Sequence, residues 1–238
     1  MTNTRPANSF RRVSRGLWLV VGLGAAYEAL NVWPGDGEDS SVLWFLAPLL
    51  LGVFVFGLWR YSRRGRDHAL PAAPPGRLSP AVLFIGGSWL TGMLYELALR
   101  TGPAGFGGMA PDTATSFLLA QGFYVPFAAG GWWLARRYGY TFADVFWTGA
   151  LSCFYEALTA GATAVAAQPA LLPLAPLLAG YYLTVYGYIL AMPLLFMDEQ
   201  RIWAASPRPL SVWRKAGYGV ALGLVCWVAF VGWAALMT

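Results

Sequence analysis

Three glutamates, Glu28, Glu96 and Glu156, each follow a tyrosine inside an apolar stretch: GLGAAYEAL ending at Leu30, TGMLYELAL ending at Leu99 and SCFYEALTAG ending at Gly161. A carboxyl in such surroundings is expensive. Within a bilayer it costs about 2.5–3.5 kcal/mol on the lenient insertion scale, so it is expected to face other protein and to find a partner there. Burial also disfavours the charged form, which makes these residues three candidate acids. Tyr27, Tyr95 and Tyr155 sit next to them in sequence, but neighbours on a helix point about 100° apart, so each tyrosine is expected to flank its glutamate rather than bond to it. The other reading of the same pattern is that the glutamates are neutral hydrogen-bonding groups holding helices together.

The chemistry open to these acids is narrowed by what the sequence lacks. The only histidine, His68, lies in an arginine-rich stretch, and there is no phosphate-binding loop or paired aspartate motif. Histidine-ligated metal, bis-histidine haem and a Ser-His-Asp triad are therefore excluded within the chain, and neither a metal nor another cofactor is expected. Aromatic residues make up 16% of the sequence. Trp33, Trp44, Trp59 and Trp203 fit an interfacial belt. Trp89, Trp147 and the tyrosines 181, 182, 186 and 188 fall deeper in the apolar runs. Aromatic faces beside an acid would stabilise a developing cation through the ring quadrupole, which is what protonation of an isoprenoid double bond requires; packing is the alternative use. The expected site is thus Glu96, Glu28 and Glu156 as acids, with Tyr27, Tyr95, Tyr155, Trp89, Trp133 and Trp147 around an apolar substrate.

The elements that must position these groups are helices in lipid. The chain of 238 residues is 58% hydrophobic and 11% charged, with a mean hydropathy of +0.52, whereas about a quarter of a soluble domain is charged. A span needs about 20 apolar residues. Seven runs qualify: 17–33, 42–59, 81–99, 116–135, 142–166, 171–196 and 218–237. The boundary between the fifth and sixth, around Gln168 and Pro169, is the least marked, so a six-helix count is the alternative to seven. With the N-terminus inside and the C-terminus outside, fifteen of the sixteen basic residues fall on the cytoplasmic side and only Arg100 falls outside, as the positive-inside rule demands. The expected architecture is a single all-α integral membrane domain, 1–238, multi-pass in the inner (plasma) membrane. It has a basic cytoplasmic N-terminus (1–16), a basic cytoplasmic loop (61–79) and a glycine-rich external loop (100–115). The net charge of +5 is dispersed among short loops, which suits anionic lipid and argues against nucleic acid. Cys153 and Cys226 lie inside predicted helices and read as small apolar residues rather than a disulfide.

The three Tyr-Glu segments fall in odd-numbered spans, and the following spans match too: LAPLLLG at 46–52 against LAPLLAG at 174–180, with Glu28 to Pro48 and Glu156 to Pro176 both 20 apart. This predicts three two-helix hairpins plus a seventh helix, related by a parallel internal repeat.

The middle of the chain, YELALRTGPAGFGG followed by GFYVPFAAGGWW, resembles the carotenoid hydratase family over roughly 40 residues, through Glu96, Thr101, Gly102, Phe106, Gly107, Val125, Pro126 and Trp133. The resemblance implies an intramembrane lyase acting on an apolar isoprenoid by acid-catalysed hydration of a double bond, with Glu96 as general acid. Two other classes fit the same residues: a transport or substrate-binding subunit working with a membrane partner or a second copy, and a proton or cation pathway through the three glutamates.

Overall fold

The computed structural model describes residues 14–32, 46–63, 79–101, 113–167, 169–197, 202–204, 208 and 210–237, and among these all regular structure is helical. Its α-helices are α1 (Arg15–Val32), α2 (Leu46–Arg63), α3 (Pro80–Thr101), α4 (Thr113–Tyr138), α5 (Phe142–Ser152), α6 (Phe154–Ala167), α7 (Ala175–Ala191) and α8 (Val212–Met237), with 3-10 turns at Pro169–Leu174 and Met192–Leu195. Three stretches are long and apolar enough to cross a membrane: Pro80–Ala98, Leu172–Leu195 and Val212–Met237. Most of the expected basic N-terminus, of the 61–79 loop with His68, and of the glycine-rich 100–115 segment lies outside the described residues.

Local chemistry fixes where the helices start and stop. Ser14 Oγ accepts from Leu17 N (3.2 Å) and Ser79 Oγ from Val82 N (3.3 Å), each satisfying an orphan donor of a first turn. Thr141 and Asp144 form a reciprocal capping box at the start of α5. At the end of α4, Gly139 adopts φ 62° and Tyr140 N donates back to Ala135 O (3.2 Å), the left-handed cap that glycine alone accepts without strain. Ala204 N and Arg208 N then donate to Arg136 O and Arg137 O, satisfying two more carbonyls of that helix end.

The fifth apolar run, expected as one helix over 142–166, is two. At Cys153 the backbone leaves the helix (φ −96°, ψ 7°) and resumes as α6. Neither glycine nor proline stands there. Instead Ser152 Oγ donates to Gly149 O (2.6 Å) and Cys153 Sγ to Ala150 O, side-chain competition with the main chain that bends helices.

Packing is close because glycines let backbones approach. In α8, Gly219 lies over Thr148 and Gly223 over the Ser152 carbonyl of α5. On the opposite face of α5, Gly149 meets Tyr186 O of α7, and Gly187 of α7 takes the Phe146 ring. Gly24 of α1 receives Thr184 of α7, whose hydroxyl donates to Val20 O (2.9 Å). The result places α7 at the centre, against α1, α5, α6 and α3, while α8 separates α4 from α5. Phe54, with zero exposure, stacks among Phe142, Phe146 and Tyr188; such ring pairs contribute roughly 0.5–1.5 kcal/mol each beyond area.

The start of α5 meets the end of α2 through Tyr61 and Phe142. It meets the start of α8 through the Asp144–Lys215 ion pair (2.7 Å), and Trp147 of α5 lies beside Gly16 of α1. With Arg136, Arg137 and Arg208 held together as above, one end of the bundle carries most of the basic residues that are described. The lateral surface is apolar: Leu19, Phe56, Leu90 and Val228 are all more than half exposed.

Candidate functional site

The Tyr-Glu residues lie toward the end of the bundle opposite Arg136, Arg137 and Arg208. On α3, Gly92 gives the Tyr124 ring of α4 direct access to the helix backbone; a Cβ there would collide with that ring. Glu96 stands one turn further on, 4% exposed, and its Oε1 accepts from Ser116 Oγ (3.3 Å). Ser116, Ala120, Tyr124 and Phe127 are all buried and share one face of α4 at helical spacing.

The second carboxyl arrives through the helix break. Because α6 begins at Phe154, Glu156 falls in its first turn, where the helix dipole favours negative charge. Its Oε2 accepts from the Tyr186 hydroxyl of α7 at 2.6 Å. The Tyr186 ring is held edge-on by Phe123 and Phe127 of α4, with centroids at 5.6 and 6.1 Å. Tyr124 is buried and lies within electrostatic reach of both Glu96 and Glu156, whose hydrogen bonds run to Ser116 and Tyr186.

A run of tyrosines adjoins the acids. The Tyr95 and Tyr181 hydroxyls hydrogen-bond each other, the Tyr27 ring packs on Tyr181 at 4.8 Å, and Tyr188 meets Tyr95 edge-on at 6.3 Å. Rings from α1, α3 and α7 thereby form a continuous aromatic surface next to Glu96. Among the described residues no group of three His, Cys, Asp or Glu side chains gathers as a metal site.

Of the residues singled out in the sequence, Glu96, Glu156, Tyr27 and Tyr95 converge here. Glu28 is in α1, one residue past Tyr27, and its side chain lies outside the described residues. Tyr155 is 64% exposed on the outer face of α6. Trp89 is partly exposed and donates to Gln121 Oε1 (2.6 Å). Trp133 stands edge-on to Tyr138 and Trp147 edge-on to Phe146, both toward the basic end. The polar residues that complete the cluster without a Tyr-Glu signature are Ser116, Tyr124, Tyr181 and Tyr186. The last two belong to the deep tyrosine run of the sixth span; Ser116 and Tyr124 had only their two-turn spacing to mark them. No known family matches the chain, and no curated protein or solved structure matches it either.

Proposed function

We propose that this protein crosses the cell's inner membrane seven times, N-terminus inside and C-terminus outside, and that the Glu96–Glu156 cluster adds water across a carbon–carbon double bond of a long isoprenoid of the carotenoid class. The observation carrying this reading is that two buried carboxyls, Glu96 held by Ser116 and Glu156 by Tyr186, lie in a part of the bundle lined by packed aromatic rings. The topology is supported by Arg15 at the start of α1, Arg60 near the end of α2, Arg136 and Arg137 at the end of α4 and Lys215 at the start of α8, all on the side expected to stay cytoplasmic. α5 and α6 together make one crossing. The reading of three hairpin repeats plus α8 is supported by Tyr27 and Tyr95, corresponding residues of two units, meeting the same Tyr181 ring.

In this mechanism the Glu96 carboxyl gives its proton to one alkene carbon, leaving a carbocation on the other and a carboxylate on Glu96. The faces of Tyr95 and Tyr181 stabilise the positive charge. Water adds through its oxygen and loses a proton to the Glu156 carboxylate, so alkene and water become an alcohol. Proton exchange with water then discharges Glu156 and reprotonates Glu96, which resets the site. Glu28 is the third acid, positioning water.

The test is expression of the full chain in cells accumulating an acyclic carotenoid, with pigments resolved by chromatography and mass. A product heavier by one water that disappears in Glu96→Gln is expected. Unchanged pigments with wild-type protein present in the membrane would refute the proposal.

A further inference from the structure

At the basic end, the outer seam between α4 and α8 assembles a second polar site unrelated to the glutamates. The Tyr138 and Tyr218 rings stack at 5.4 Å, and their hydroxyls lie 3.3 Å apart at the surface. Arg137 and Arg208 both act electrostatically on the Tyr138 phenol. They are brought together by the bond from Arg208 N to Arg137 O (3.2 Å), so the arrangement is fixed by the backbone. Arg214 stands one helical turn before Tyr218 on the same side of α8. The only acid described nearby, Asp144, is engaged by Lys215; Asp198 and Glu199 lie outside the described residues. Arg137 and Arg208 thus act on a stacked phenol pair in which Tyr138 donates to Tyr218 and the Tyr218 hydroxyl keeps a hydrogen to donate outward, with Arg214 one turn away, a set suited to a phosphodiester.

What lies beside this cluster identifies the source of the phosphate. Trp133 is one turn before Arg137 on the same side of α4 and 55% exposed; along α8, Val225 and Val228 are 61% and 74% exposed. Cations and phenols at the end of an apolar seam match the headgroup and acyl chains of one molecule. We infer that the α4–α8 seam is a specific binding site for an anionic phospholipid of the leaflet at the basic end, its phosphate held by Arg137, Arg208 and the Tyr138–Tyr218 pair.

The experiment uses the full chain in nanodiscs of equal parts phosphatidylglycerol and phosphatidylcholine, with lipids retained after release read by native mass spectrometry. Wild type should retain the anionic lipid preferentially. Arg137→Gln with Arg208→Gln should weaken that retention about 25-fold, taking roughly fivefold per cation near the surface. Arg60→Gln, an exposed arginine near the end of α2, should leave it unchanged. Tyr218→Phe, which keeps the stacked ring, should weaken retention several-fold and serves as the measurement if the double variant does not fold. Equal loss in Arg60→Gln would mean a diffuse surface charge and overturn the site. So would no preference in wild type, or displacement of the lipid by millimolar inorganic phosphate, which would make the ligand a soluble anion.

Discussion

Tyr186 and Tyr155 are both tyrosines beside Glu156, one in space and one in sequence, and they separate the proposed site from mere proximity. Tyr186 donates to the Glu156 carboxylate; Tyr155 faces outward. Tyr186→Phe is expected to lower product formation roughly a hundredfold, the scale of a lost acid–base partner, and Tyr155→Phe to leave it within twofold, read as pigment product per unit of membrane protein. Equal effects would dissolve the cluster as a functional unit. The glutamates were legible in the sequence because a carboxyl in an apolar run carries a cost that demands an explanation. Tyr124 and Tyr186 were harder to single out because a phenol is tolerated in lipid, and nothing in an aromatic-rich helix distinguishes a hydrogen-bonding tyrosine from a packing one. Tyr140, in the connector before α5, makes a separate prediction. Burial, reinforced by the Asp144 carboxylate, pushes its phenol well above the ordinary range. The folded value exceeds the unfolded one, so this contribution to stability is full below about pH 10 and is lost as pH rises through the folded value. Thermal unfolding in detergent should show an alkaline decline that is shallower in Tyr140→Phe; identical profiles would remove Tyr140 as its cause.

The element that matters most is the pair α5–α6. The sequence shows one apolar run there, since helix breaks are read from glycine and proline and this one is made by the Ser152 and Cys153 side chains bonding backward. The α8 glycines press on the same place. Gly223→Ala would drive a methyl into the Ser152 carbonyl, a main-chain atom with nowhere to move, whereas Gly217→Ala meets open space. Gly223→Ala is expected to destabilise the protein by about 1–3 kcal/mol and Gly217→Ala to have no measurable cost, compared by unfolding in detergent. If the two behaved alike, the close α5–α8 crossing would be wrong. Three stretches are long and apolar enough to span a membrane; in α1, α2 and α4, arginines at their ends and polar groups such as Gln121 dilute the apolar signal.

For the molecule as a whole, the topology is testable through its thiols. Cys153 and Cys226 are 1% and 0% exposed, so a membrane-impermeant maleimide should leave the native chain unlabelled. In intact cells it should label a cysteine introduced in place of Ala114, exposed at the start of α4, and reach one in place of Ser211, exposed before α8, only after the membrane is opened. The reverse pattern would overturn the proposed orientation, and labelling of both from outside would overturn the count of seven crossings. Charge distribution carries the proposed orientation: among the described residues Arg15, Arg60, Arg136, Arg137, Arg208, Arg214 and Lys215 stand at one end of the bundle, and Arg100 at the far end of α3. The order in which helices neighbour one another was not legible, because it is decided by glycine contacts between segments far apart in the chain.

The position of α8 between α4 and α5 bears on how the protein is made. Those two helices are consecutive in synthesis, yet the surfaces they would offer one another are reserved for a helix translated some sixty residues later. Until it arrives, Gly122, Gly130 and the Ser152 carbonyl, which meet Trp233, Leu222 and Gly223 in the finished bundle, have no partner from α8. Nascent chains halted before α8 should therefore be the ones a membrane-bound chaperone holds and a quality-control protease removes.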